Sequence, residues 1–125
     1  MIFRFLWVGK TREKNLKALQ DDYLKRLGHF VTTQVVEVRE AGPGENSDSE
    51  GNRILQKLNP KGFVCLLDVE GRHLSSHELA ATIEGWQDRG LREVTFVIAG
   101  ADGASKAVAE RADFKLSLSF LTFTH

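Results

Sequence analysis

Val94-Thr95-Phe96-Val97-Ile98-Ala99-Gly100-Ala101-Asp102-Gly103 is the stretch on which the reading of this chain turns. An apolar run rich in β-branched and aromatic side chains stops at a turn holding two glycines. A helix-compatible segment, Ser105 to Asp113, follows. Such a run reads as a buried parallel strand that delivers a tight loop to the edge of an α/β sheet. Ligands of open α/β folds sit at such carboxyl ends. Glycine lets backbone approach a ligand closely or take a positive φ. On its own the stretch fits a plain strand-to-helix turn better than a site.

The flanking sequence repeats the alternation. Ile2 to Val8 reads as a first strand, ended by Gly9. Leu16, Leu19, Tyr23 and Leu27 recur at helical spacing and predict an amphipathic helix over 14–27, with Gly28 as its stop. A second strand is expected over Thr33 to Val38, a loop over Ala41 to Ser49, and a short helix over Glu50 to Leu58. Phe63 to Asp68 is a near-continuous apolar strand. Ser75, with Glu78 three residues on, predicts a capping box for a helix reaching about Asp88. A last strand is expected near Phe114 to Leu118. Strands alternating with helices predict an α/β fold with a mainly parallel sheet flanked by helices. The length of 125 residues suits one domain over 1–125.

Composition narrows the function classes. Formal net charge is zero, so a globally basic nucleic-acid surface is excluded. The charge is uneven, however. Residues 1–26 carry seven basic side chains against three acids. Lys10, Arg12, Lys14 and Lys17 lie in this basic stretch, for which a solvated helix start is the plainer reading on charge alone. Cys65 is the single cysteine and lies in an apolar run, which suits a buried thiol and a reducing, cytoplasmic setting. No run approaches membrane-spanning length. His73 and His77 are spaced i, i+4, but a helix capped at Ser75 leaves His73 outside it, so no metal site is expected. Asp68 and Glu70 are read as strand-end carboxylates that accept backbone N–H groups.

In a parallel sheet, Leu67 to Gly71, Ala99 to Gly103 and Leu118 to His125 emerge at one edge. They offer apolar side chains, close-approach glycines and the small polar Ser119 and Thr122. That mixture suits an adenosine-containing cofactor. No nucleophile paired with a base stands out, and no catalytic residue is assigned. The patterns of the common dinucleotide and phosphate loops are missing.

These segments, taken in order, carry a resemblance. YLKRL (23–27), GNRILQKL (51–58), LLDVEGR (66–72), LSSHELA (74–80), VTFVIAGADG (94–103) and LSFLTFTH (118–125) resemble the ribosomal RNA large subunit methyltransferase H family, of the SPOUT class. The resemblance implies a SPOUT-type α/β knot, a homodimer, and S-adenosyl-L-methionine as methyl donor. It further implies methylation of N3 of a pseudouridine in large-subunit (23S) rRNA on the ribosome. The family's cofactor contacts map onto Leu67, Gly100, Ser119, Phe120, Leu121, Thr122, Phe123 and Thr124. Ala99 replaces the first of the family's two glycines, and Thr124 its usual proline. The family also continues past this histidine by about one helix and a tail. The expectation is therefore an incomplete knot. An apolar terminus of Phe114, Leu116, Leu118, Phe120, Leu121 and Phe123 would also need cover. The chain as it stands is expected to be inactive and self-associating. Two alternatives remain at this point: a non-catalytic RNA- or partner-binding module, and an unrelated flavodoxin-like nucleotide-binding domain.

Overall fold

A computed structural model of the chain describes residues 1–100 and 102–118. Among these, the strands are β1 (Ile2–Val8), β2 (Thr32–Val38), β3 (Phe63–His73), β4 (Glu93–Ile98) and β5 (Phe114–Ser117). The helices are α1 (Lys14–Leu27), α2 (Ser47–Lys57), α3 (Ser76–Asp88) and α4 (Lys106–Arg111). The sheet runs in the order β2-β1-β4-β3-β5. Every pairing is parallel, as the alternation predicts. All the strands therefore present their carboxyl ends at one edge, and β4, β3 and β5 lie side by side there.

Side-chain alternation splits the core between the two sheet faces. On one face Leu6, Val8, Val64, Leu66 and Val97 pack against Ile54 and Leu58 of the α2 segment and Val108 of α4. On the other, Phe3, Cys65, Val94, Phe96 and Leu116 pack against Trp86 of α3. Phe5 stacks on Phe96 at 5.3 Å, and the Trp86 ring meets Phe63 at 5.0 Å and Phe114 at 5.7 Å. Offset and edge contacts of this kind add to the apolar burial. Cys65 is fully buried, and burial pushes its thiol up to about 12.

Caps set the helix starts. Ser75 Oγ accepts from the Glu78 N–H while the Glu78 carboxylate accepts from the Ser75 N–H, so the predicted capping box is present. Ser105 caps α4 through the Val108 N–H. The second helix begins at Ser47, earlier than expected. Asn46 Oδ1 accepts from the N–H groups of Asp48 and Ser49, which turns Ser47 to Ser49 from loop into first turn. Gly28 does end α1, but with a right-handed φ of −60°, so the stop there does not rest on the left-handed conformation.

Two further departures matter. The third strand runs to His73 rather than ending at Asp68, because β5 gives its far end a partner. Both Leu67 and Arg72 are in register with Leu116, so Asp68 to Gly71 bulge out between them. Asp68 Oδ1 accepts the Glu70 N–H within that bulge, the carboxylate role its sequence suggests. The amphipathic stripe of α1 is not buried: Leu16, Leu19 and Tyr23 are each more than half exposed. Of the apolar terminus, Leu116 is buried, Phe114 is partly buried and Leu118 is exposed. Phe120, Leu121 and Phe123 lie outside the described residues.

Candidate functional site at the carboxyl edge

The β4 strand ends at Ile98 and hands the chain to Ala99 and Gly100. Gly103 donates its N–H to the Gly100 carbonyl at 2.9 Å and carries a φ of +81°, closing the turn. Beside it, β3 delivers Leu67, half-buried, in register with Leu116 of β5. The sheet order thus sets Leu67 between the ends of β4 and β5. Two of the three segments expected to converge are neighbours at this edge. The third leaves β5 at Leu118, and the site residues Ser119, Phe120, Leu121, Thr122, Phe123 and Thr124 lie outside the described residues.

The reason for glycine at 100 differs from that at 103. Gly100 does not have a positive φ. A β-carbon there would stand 2.6 Å from Glu50 Oε1, well inside contact distance. Glu50 is held in turn: its Oε2 accepts the Ala41 N–H at 2.7 Å. The carboxylate therefore braces the β2–α2 connection against the glycine loop. Sequence reading missed Glu50, since the contact joins residues far apart in the chain. A smaller signal was available in Gly51. A β-carbon at that position would lie 2.2 Å from Ser105 Oγ, so α2 must sit hard against the start of α4.

Arg53 holds the same connection from outside. It donates to the carbonyls of Arg39 and Glu40 and pairs with Glu45. The Gly42 N–H and the Arg53 guanidinium hold the Glu45 carboxyl below its ordinary range.

The basic stretch divides. Lys10 and Arg12 occupy the β1–α1 loop at this edge, with the Arg12 side chain 84% exposed. Lys14 opens α1, and Lys17 is held by Asp21 at 3.0 Å one turn along the same helix. Lys10 and Arg12 line clefts here, whereas Lys14 and Lys17 do not line the same clefts. A separate groove of about 470 Å³ follows Glu70 to Arg72 and Ala112 to Lys115, and neither Leu67 nor Gly100 lines it. Among the described residues, no group of three or more His, Cys, Asp or Glu gathers in a way that could hold a metal ion. No helix among them is long and apolar enough to cross a membrane.

Leu67 brings a half-buried apolar side chain to this edge, and Glu50 packs against the Gly100 main chain.

Comparison with known proteins agrees with this geometry. The family described as "Predicted SPOUT methyltransferase" matches residues 1–125. Ribosomal RNA large subunit methyltransferase H of Carboxydothermus hydrogenoformans is 41% identical, over 94% of this chain and 80% of the relative. The protein of the same name from Ureaplasma urealyticum is 36% identical, over 100% of this chain and 84% of the relative. One from Clostridium botulinum is 38% identical over 94% of this chain and 80% of the relative. These matches set aside an unrelated flavodoxin-like domain. A parallel α/β sheet, a glycine loop at its carboxyl edge and relatives that align along nearly the whole chain make this protein an enzyme of the SPOUT methyltransferases, within the ribosomal RNA large subunit methyltransferase H family.

Proposed function

We propose that this chain is an S-adenosyl-L-methionine-dependent methyltransferase that acts on N3 of a pseudouridine in large-subunit rRNA. The observation that supports the reading is the placement of Leu67 and Gly100 at the ends of the neighbouring strands β3 and β4, in a chain whose relatives are named ribosomal RNA large subunit methyltransferase H. The cofactor would be held by Leu67, the Gly100 main chain and the segment Ser119 to Thr124. The chemistry it would supply there is methyl transfer to the deprotonated N3 of the uridine-type ring. The chain's own contribution is to orient the two partners and keep water from between them, which lowers the entropic part of the barrier. Lys10, Arg12, Lys14 and Lys17 are assigned to rRNA phosphates, with the ribosome as the docking partner. The enzyme works in the cytoplasm as a homodimer, for whose interface the exposed Leu19 and Tyr23 of α1 offer apolar surface.

Calorimetry with S-adenosylmethionine, followed by transfer of a labelled methyl to unmodified ribosomes, tests this reading on the chain extended to its relatives' full length. Saturable cofactor binding and label at a single pseudouridine are expected. Binding without transfer would turn the reading to a non-catalytic module. The absence of both would overturn it.

A further inference from the structure

The carboxyl edge carries a second feature, on the sheet face opposite Glu50. Trp7 shares its side of β1 with Phe3 and Phe5 by strand alternation. A cleft of about 350 Å³ opens there between the end of β1 and the start of α1. Its lining includes Trp7, Lys10, Arg12, Leu16 and Ile98. The Trp7 Nε1 donor is shielded from solvent and has no hydrogen-bond partner among the described residues. An indole N–H can only donate, and a buried donor left unmade is costly. Polar groups nearby are already engaged: Thr11 Oγ1 donates to Gln20 Oε1 at 2.7 Å, and the Glu13 carboxylate accepts from the Leu16 N–H at 2.7 Å. Neither is an acceptor aimed at the indole.

The surrounding charge points to the kind of ligand. Lys10 and Arg12 also line an adjoining cleft of about 370 Å³ with Arg39, so the β1–α1 loop forms a basic ridge between the two. Glu37 and Glu40 line that second cleft, and Arg12 lies 3.9 Å from Glu40. The first cleft is therefore lined by an aromatic residue whose indole donor has no partner among the described residues, by the apolar Leu16 and Ile98, and by the two cations Lys10 and Arg12. RNA-binding proteins meet an unstacked base with such a set, through aromatic contact, edge hydrogen bonds and cations for the flanking phosphate.

We propose that this cleft receives one unpaired nucleotide of the RNA substrate. A carbonyl oxygen of its base takes the Trp7 N–H, and its phosphate lies toward Lys10 and Arg12. The inference rests on the rRNA methyltransferase reading and adds a substrate-binding role for Trp7.

The test is an indole ¹H–¹⁵N spectrum of the full chain, in which Trp7→Phe identifies the Trp7 signal and Trp86, in the core, serves as internal reference. Adding a pseudouridine-bearing stem-loop RNA should move the Trp7 signal downfield and leave Trp86 in place. Inorganic phosphate alone should move neither. Trp7→Phe keeps an aromatic ring and should raise the KM for ribosomes roughly tenfold, the loss of about one hydrogen bond, with cofactor affinity unchanged. A Trp7 signal indifferent to RNA, or one that phosphate alone shifts equally, overturns the proposal. So does an unchanged ribosome KM in Trp7→Phe. If the wild-type chain binds cofactor and methylates ribosomes while those results fail, the cleft assignment falls alone. If the chain extended to its relatives' full length methylates no ribosome, the parent reading falls and takes this one with it.

Discussion

Glu50 Oε1 occupies the space that a β-carbon at residue 100 would need, 2.6 Å away, while Glu50 Oε2 holds the Ala41 N–H. One carboxylate thus joins the entry to α2 to the loop after β4. Any side chain at 100 must move Glu50, and moving Glu50 leaves the Ala41 N–H without its acceptor.

Gly100→Val should therefore abolish cofactor binding, with Gly100→Ala weakening it less. Calorimetry with S-adenosylmethionine measures both. Pairing Gly100→Ala with Glu50→Ala should recover part of the loss, since the clash partner is gone, and the two changes should be non-additive. Strict additivity would show that the glycine serves the ligand directly and not the carboxylate. Unchanged affinity in Gly100→Val would remove Gly100 from the cofactor site.

Gly71 faces backbone, not a flexible side chain. A β-carbon there would lie 2.6 Å from the Lys115 carbonyl carbon and 2.7 Å from the Leu116 nitrogen. Gly71→Ala should destabilise the fold by about 1–3 kcal/mol, the cost of forcing extra volume into packed structure. Urea unfolding should show a lower midpoint. Amide exchange should speed up along β3 and β5 before it does in β1. A variant as stable as wild type would mean that the bulge relaxes freely.

Lys10→Glu, Arg12→Glu and Lys14→Glu together should weaken ribosome association and flatten its salt dependence. The log–log slope should fall by about 0.7 for each phosphate no longer neutralised. The thermal midpoint should barely move, because exposed charges contribute little to stability. The Arg12 side chain, 84% exposed, has little packing to lose. Association that ignores all three changes would leave the stretch a solvated helix start.

Ser75→Ala removes the hydroxyl that accepts the Glu78 N–H and should cost about 1 kcal/mol. The Glu78 carboxyl is held below its ordinary range, first by the Ser75 backbone N–H. Its folded pKa lies below the unfolded value, so its contribution is present above the ordinary carboxylate range and is lost as pH falls through the folded value. Thermal midpoints of wild type and Glu78→Gln should differ at neutral pH and converge in acid. A gap that stays constant down to strongly acid pH would separate the cap from this ionisation.

Much of the fold was legible because its signals are local. The apolar run Val94 to Ile98, the helical spacing of Leu16, Leu19, Tyr23 and Leu27, and the Ser75–Glu78 pair each act within a few residues. Misreadings fell where a local signal had two outcomes. The stretch from Ala41 to Ser49 is loop-like in composition, yet Asn46 caps a helix inside it. The β3 strand outruns its apolar run because β5 pairs with its far end.

By itself, the sequence determined an alternating parallel α/β chain, a glycine loop at a strand end, and kinship along nearly its whole length to rRNA methyltransferases. Only the tertiary structure decided that β4, β3 and β5 are neighbours, that Glu50 underlies Gly100, and that the Trp7 N–H is buried without a partner among the described residues, in a cleft that Lys10 and Arg12 also line. The physical reason is range. Caps and periodicity are written in neighbouring residues. Strand order and the meeting of residues 50 and 100 depend on which crossovers let both sheet faces bury their apolar side chains together.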